Sequence, residues 1–317
     1  KEIDEKTKNK NIKGNLRYGG IMENIDALIE YLINDNPRYH VSEEPETFED
    51  KFRIYRSLVN IRNPNPVDDD YVEMENEMLQ ELLLKKEISS FEDIETIGVK
   101  YPQTKLNHKD ILALWQGDIC TLEIDTIVNA ANSQGLGCFI PCHDCIDNKI
   151  HTNAGVKLRL ECYQEMQKYD YTLPSGTCLF TDAYNLPSKH VIHTVGPVVT
   201  GHLTDRKRDD LAKCYRNCLE ICIEHGIRSI AFCSISTGVF RFPKDEACRI
   251  AVTTVEEVLD ENPDAFDKVV FNVFSDEQLA IYEDFIKNRG QSISLNFINY
   301  RVESMESLNE RIEKLSN

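Results

Sequence analysis

Three things are scarce in this 317-residue chain, and each scarcity narrows what it can be. Long apolar runs are missing: a stretch such as KVVFNVF at 268–274 falls far short of the roughly 20 residues a bilayer-spanning helix needs. Positive charge is scarce, with 36 Lys and Arg against 54 Asp and Glu. The resulting formal charge of −18 repels nucleic acid and anionic membrane, so neither is expected as a partner. An apolar N-terminal stretch is also missing, because KEIDEKTKNKNIKGNLRYGG at 1–20 is polar and lacks the core of a secretory signal. Residues 1–21 are therefore expected to be a flexible arm or tag remnant. Eleven cysteines, an odd number without an export signal, are expected to be reduced thiols in a cytoplasmic protein.

What is present is a globular composition, 41% hydrophobic and 28% charged. Residues 22–105 read as an acidic helical extension. MENIDALIEYLIND, FEDKFRIYRSLVNI and DYVEMENEMLQELLLKKE carry apolar residues at three- and four-residue steps, and prolines interrupt between them. SFEDIETI is expected to be a short helix opened by a Ser90–Asp93 capping box. From residue 106 to 290 short apolar runs alternate with amphipathic segments, including one long helix over 148–166, which predicts an α/β domain with a largely parallel sheet. In such sheets ligands settle beyond the carboxyl ends of the strands. Cys214, Cys218 and Cys222 fall at helical spacing and are expected to pack in the core. Residues 291–317 read as a strand-like stretch and a polar helix of unassigned role.

Two of the loops after strands stand out. In FCSISTGVFRFP, residues 232–243, glycine and small hydroxyl residues let backbone N–H groups wrap a ligand, and a pyrophosphate suits that geometry. Because the overall charge opposes a phosphate, such local groups or a metal must hold it. The other is GLGCFIPCHDCIDNKIH at 135–151, with three cysteines and two histidines in one short loop. Cys138, His143 and Cys145 form a C-x4-H-x-C set, and thiolates with an imidazole favour zinc. Cys142 and His151 are further candidates: either would close a four-ligand structural shell, whereas three ligands leave a position open for water or substrate. Nearby, Asp118 follows a strand end, Asn129 and Asn132 end an apolar strand, and Gly135 pairs with Gly137 in the loop.

WQGDICTLEIDTIVNAAN at 115–132, IDNKIHTNAG at 146–155, the SISTGVFRFP loop and VVFNVFSDEQLAIY at 269–282 together resemble the macrodomain family, in order over residues 107–288. The family's usual glycine run is replaced here by SQGLGCFIPCHDC, which with the helical extension resembles the zinc-containing microbial macrodomains linked to sirtuin-type ADP-ribosyltransferases. The resemblance implies a three-layer α/β/α macrodomain with a mixed central sheet, zinc as cofactor, and hydrolysis of mono-ADP-ribose from modified proteins. It implies that Asp118 and Ile119 meet the adenine amino group, that Phe274 packs on the adenine ring, and that Asn272 borders it. Ser234, Ile235, Ser236, Thr237, Gly238, Val239 and Phe240 would cradle the pyrophosphate. From their places in the loop after the strand, and not from the resemblance, Asn129 (a sugar contact, with a bare turn as the alternative) and Gly135 are expected at the same ligand. Asn132 would orient the distal ribose and Asp147 stands at the catalytic aspartate. A lipoyl-carrier protein is the substrate type the resemblance suggests, and the chain is expected to act as a monomer. A non-catalytic ADP-ribose reader with structural zinc, or an O-acetyl-ADP-ribose deacetylase, are the competing readings.

Overall fold

The computed structural model describes residues 20–42 and 44–289, so the expected N-terminal arm up to residue 19 and the strand-like and helical stretches expected over 291–317 lie outside the described residues. Helices α1 (Ile21–Asp35), α2 (Phe48–Ile61) and α3 (Asp69–Leu84) form the extension. Thr47 opens α2 by accepting from the Asp50 N–H at 3.2 Å, and the chain leaves that helix just before Pro64 and Pro66. Their apolar stripes meet in a small core around Ile25, Leu28, Tyr55, Tyr71 and Met78. Val156, which belongs to the following domain, completes this core.

The expected helix at SFEDIETI is shorter than its capping pattern suggested. Ser90 does cap, but it accepts from Glu92 N–H at 3.3 Å and opens only a 3-10 turn over Phe91–Asp93. β1 (Ser89–Ser90) immediately precedes this turn and α4 (Ile97–Lys100) follows it. The main sheet is built from β2 (Leu112–Gln116), β4 (Thr126–Ala130), β5 (Cys178–Asp182), β6 (His190–Thr194), β7 (Ser229–Phe232) and β8 (Lys268–Val273). β3 (Leu122–Glu123) pairs only with β1. Strand order is β2-β8-β7-β4-β6-β5, parallel throughout except for β5, which runs antiparallel to β6. The six-stranded mixed sheet is flanked by α5 (Ile146–Ala154), α6 (Val156–Met166), α7 (Asp205–Glu224), α8 (Lys244–Glu261) and α9 (Asp276–Asn288).

The strands of the middle read as unbroken apolar runs because both faces are covered, as parallel sheets require: β7 is buried at every position. The stripe Cys214, Cys218 and Cys222 on α7 is fully buried against the sheet, in agreement with its helical spacing. The segment expected as one helix over 148–166 is two. Gly155, at φ +98°, ends α5 and starts α6, and a Cβ there would stand 2.4 Å from Glu75 Oε1. This break lets Glu75 of α3 accept from the Val156 N–H at 2.8 Å, pinning the extension to the sheet's helical layer. Among the described residues no helix is long and apolar enough to cross a membrane.

Candidate functional site

The loops after β2, β4, β7 and β8 converge at one end of the sheet, because parallel strands place their carboxyl ends side by side. They enclose a cleft of about 550 Å3. Asp118, Ile119, Asn272 and Phe274 line one end of the set. Asn272 Nδ2 donates to Gly117 O at 2.9 Å, tying β8 to the loop after β2. Phe274 is 67% exposed, which leaves its ring open to the cleft. Lys149 Nζ sits 5.2 Å from that ring's centre.

The glycine–hydroxyl loop supplies Ser234, Ser236, Thr237, Gly238, Val239 and Phe240 to the lining. Its shape is set by its own bonds: Thr237 Oγ1 donates to Ser234 O at 3.0 Å, and Ser236 O accepts from the Phe242 N–H at 2.9 Å. Ser236 adopts φ +64°, a left-handed conformation that costs a serine energy and reverses the chain there. Ser234 Oγ and Ser236 Oγ are buried without a hydrogen-bond partner. A buried hydroxyl of this kind leaves room for a polar group to meet it. Ile235 is fully buried and turns its side chain into the core instead of the cleft.

The cysteine loop, which follows β4, lines the same cleft. Asp147, at the start of α5, is 5% exposed and lines the cleft. Burial raises its carboxyl to about 6, opposed by the hydrogen bond from Asn129 Nδ2 at 2.7 Å. Asn129 is fully buried and its amide also reaches His193 Nδ1 at 3.0 Å. It therefore stands behind Asp147 and does not line the cleft, which moves it from the expected ligand contact to a support. Gly135 likewise turns away, toward Met166. Asn132 does line the cleft, its Nδ2 donating to Gly137 O at 3.2 Å and its Oδ1 accepting from the Gln134 N–H.

Cys138, His143 and Cys145 come together on the cleft wall, with one side-chain donor atom from each within 4.8 Å of the others. Cys138 Sγ and His143 Nδ1 are 3.7 Å apart, against about 3.6 Å for two such ligands on a tetrahedral zinc. Cys142 is not in the group. At φ +52° it points to the extension, with Sγ 3.2 Å from Ser57 Oγ. His151 is buried one turn below Asp147, with Nε2 3.6 Å from Asp147 Oδ1 and its ring against that of His193. His151, Cys162 and His193 form a second, buried group that could hold a metal ion. There, however, the Asn129 amide makes His193 Nδ1 an acceptor, so Nε2 carries the proton and donates to Thr181 Oγ1 at 3.0 Å.

Residues 128–251 match the family described as Macro domain. A protein-ADP-ribose hydrolase of Treponema medium is 46% identical over 255 residues, covering 80% of this chain and 95% of the relative. The chain belongs to the macrodomain family. A protein-ADP-ribose hydrolase of Staphylococcus aureus strain MSSA476 is 44% identical over 263 residues, covering 81% and 94%. Both matches are too long to fit within residues 106–317, so the similarity takes in part of the helical extension. A Fusarium oxysporum f. sp. cubense protein named "Probable bifunctional ADP-ribose hydrolase/ADP-ribosyltransferase" is 37% identical over 282 residues, which cover 83% of this chain and 46% of that one. Among solved macrodomains, the Trypanosoma brucei protein in complex with ADP-ribose superposes with a TM-score of 0.56 at 28% identity, covering 76% of this chain and 96% of that chain.

Sequence reasoning found the cleft-lining loops but missed their supports. Arg159 of α6 is nine-tenths shielded by the loop and the extension, and its signal was legible: it shares a helical stripe with buried Cys162 and Met166. Asn60 and Arg56 of α2 carried no comparable signal, since polar residues on an extension helix look like solvated surface.

Proposed function

We propose that this macrodomain hydrolyses the bond between the distal ribose of ADP-ribose and the acceptor side chain of a mono-ADP-ribosylated protein. The observation that carries the reading is the placement of one buried carboxylate, Asp147, and a three-donor soft cluster in a cleft that the glycine–hydroxyl loop also lines. Relatives at 44–46% identity bear the name protein-ADP-ribose hydrolase, and a solved macrodomain of the same fold holds ADP-ribose.

In this account Asp118 and Ile119 receive the adenine end and Phe274 covers its ring, which explains that ring's exposure in the open cleft. The loop from Ser234 to Phe240 takes the pyrophosphate, with Ser234 Oγ and Ser236 Oγ finding there the partners they lack. Asn132 holds the distal ribose in one pose. Asp147 takes the proton from a water whose oxygen bonds to the anomeric carbon of the distal ribose, while the bond from that carbon to the acceptor side chain breaks; the acceptor leaves with the bonding pair and takes up a proton. Asn129 fixes the Asp147 carboxylate by donating from behind, while burial keeps it basic enough to serve near neutrality.

The donor set fits zinc: two thiols and an imidazole gathered within 4.8 Å of one another on the cleft wall, with the one thiol–imidazole pair of Cys138 and His143 at a spacing a tetrahedral ion accepts. Cys138, His143 and Cys145 would hold it with a position left open, and when bound it would supply a Lewis acid that polarises a ribose hydroxyl or a water. The substrate is a mono-ADP-ribosylated protein, with a lipoyl-carrier protein as the suggested type. A sirtuin-type transferase is the counterpart that installs the group, in keeping with the paired activities in the fungal relative's name.

Asp147→Ala tests the scheme. Turnover on a mono-ADP-ribosylated protein should fall by about 10²–10⁴-fold, the usual contribution of a general base, while ADP-ribose affinity stays as in the parent. Parental turnover in the variant would remove Asp147 from the chemistry.

A further inference from the structure

We infer that the N-terminal helical extension positions the metal loop, and that Arg56 and Asn60 of α2 are positioning residues for it. The inference rests on the reading of Cys138, His143 and Cys145 as metal ligands. A loop of this length has no regular secondary structure to hold three ligands within tenths of an ångström, so something else must. In this chain the backbone of the loop is tied, group by group, to α2.

Arg56 donates from Nη2 to His143 O at 2.9 Å, and from Nε and Nη2 to Asn148 Oδ1 at 3.1 and 2.9 Å. Asn148 is itself fully buried and donates from Nδ2 to Ile140 O at 2.9 Å and to Asn60 Oδ1 at 3.0 Å. Asn60 Oδ1 also accepts from the Cys142 N–H at 2.9 Å. On the other flank, Arg159 donates to Leu136 O at 2.7 Å and Cys138 O at 3.3 Å. With Nη1 the same guanidinium donates to Val59 O, Asn60 O and Arg62 O, the carbonyls that the end of α2 leaves without helical partners. The negative end of the helix dipole favours a cation there. One guanidinium thus bridges the end of α2 to the backbone of the first ligand, and a second grips the backbone of the second ligand.

The extension is therefore part of the metal centre's outer shell, where loss of an orienting partner typically lowers metal affinity by about 10–100-fold. This places a function on helices whose outward faces are mostly solvated polar and acidic surface. It also gives a reason why the similarity to the hydrolase relatives runs into the extension.

The experiment measures Zn2+ affinity of the full chain by competition with a colorimetric chelator, alongside ADP-ribose affinity and the melting temperature of the metal-free protein. Arg56→Ala should weaken Zn2+ binding about 10–100-fold, with ADP-ribose affinity and metal-free melting near those of the parent, because Arg56 touches neither the adenine end nor the phosphate loop. Arg56→Lys, which keeps the charge but offers one donor group in place of the fork, should fall between. It carries the test if the alanine variant melts early. Parental Zn2+ affinity in both Arg56 variants would overturn the inference. So would a loss of Zn2+ and ADP-ribose affinity in step with melting, the mark of a merely structural role. Cys138→Ser separates the two levels: if it loses Zn2+ while the Arg56 variants keep it, only the positioning role fails. If Cys138→Ser binds Zn2+ as the parent does, the ligand assignment fails and takes this inference with it.

Discussion

Glu75→Gln is the perturbation whose outcome the structure specifies most fully. Glu75 is 1% exposed and receives three donors: Tyr55 Oη at 2.7 Å and Tyr71 Oη at 2.9 Å on Oε2, and the Val156 N–H at 2.8 Å on Oε1. An amide has one acceptor oxygen. Val156 N–H cannot rotate, so Gln must give its oxygen to the backbone and point its NH2 at both tyrosine oxygens. Each hydroxyl then loses its acceptor, at about 1–3 kcal/mol apiece. Against this, the substitution relieves the cost of burying a carboxylate. Burial is the largest influence on Glu75 and raises its pKa above the ordinary 4.5 despite all three donors. The expected net loss near neutral pH is therefore at the low end, about 2 kcal/mol.

The pH dependence follows with a definite sign. A raised carboxyl pKa means the folded state keeps a proton that the unfolded chain has released. The contribution of Glu75 to stability is then fully present below 4.5 and declines as pH rises through the raised folded value. The variant has no such group, so the parent's advantage over it should be larger at pH 5 than at pH 7.5. Urea unfolding of the two proteins at both pH values measures this, and the other titrating groups cancel in the difference. An advantage that grows with pH would refute the argument, since it would mean the donors, not burial, dominate that carboxylate.

Two further substitutions probe the same architecture. Gly155→Ala places a methyl 2.4 Å from Glu75 Oε1 on a backbone at φ +98°, so it should destabilise the fold by about 1–3 kcal/mol in urea unfolding. Gly196→Ala places a methyl 1.9 Å from Ser236 Oγ and 2.8 Å from Ile235 Cγ2, pressing on the phosphate loop from behind. Calorimetric titration should show ADP-ribose affinity reduced about tenfold, the equivalent of about 1.4 kcal/mol, and an unchanged affinity would mean the loop yields without penalty.

Much of this was legible in the sequence, for identifiable reasons. Helices α2, α8 and α9 sit where their apolar periodicity and flanking prolines or caps put them, because local signals and tertiary burial agree there. That Cys138, His143 and Cys145 cluster was legible because two thiols and an imidazole stand so close together in the sequence, and that Asp118 and the Ser234–Phe240 loop line a cleft was legible because both follow strand ends. The single helix expected over 148–166 failed at Gly155, whose break is dictated by Glu75, eighty residues upstream and on another helix. Asn129 was expected at the ligand because it ends a strand. Whether such a residue faces the cleft or stands behind it depends on the strand's pleat and on His193 and Asp147, neither adjacent in sequence. Arg56 and Asn60 were invisible for the same reason: their partners are 82 to 92 residues away.

The measurement closest to the central claim is release of ADP-ribose from a mono-ADP-ribosylated protein by the full chain, first zinc-loaded, then stripped by a chelator and shown by circular dichroism to remain folded, then reloaded. The account predicts release that disappears on stripping and returns with zinc. Tight ADP-ribose binding without release in any of the three states would contradict it, and would make the cleft a reader's pocket and the cysteine loop its scaffold.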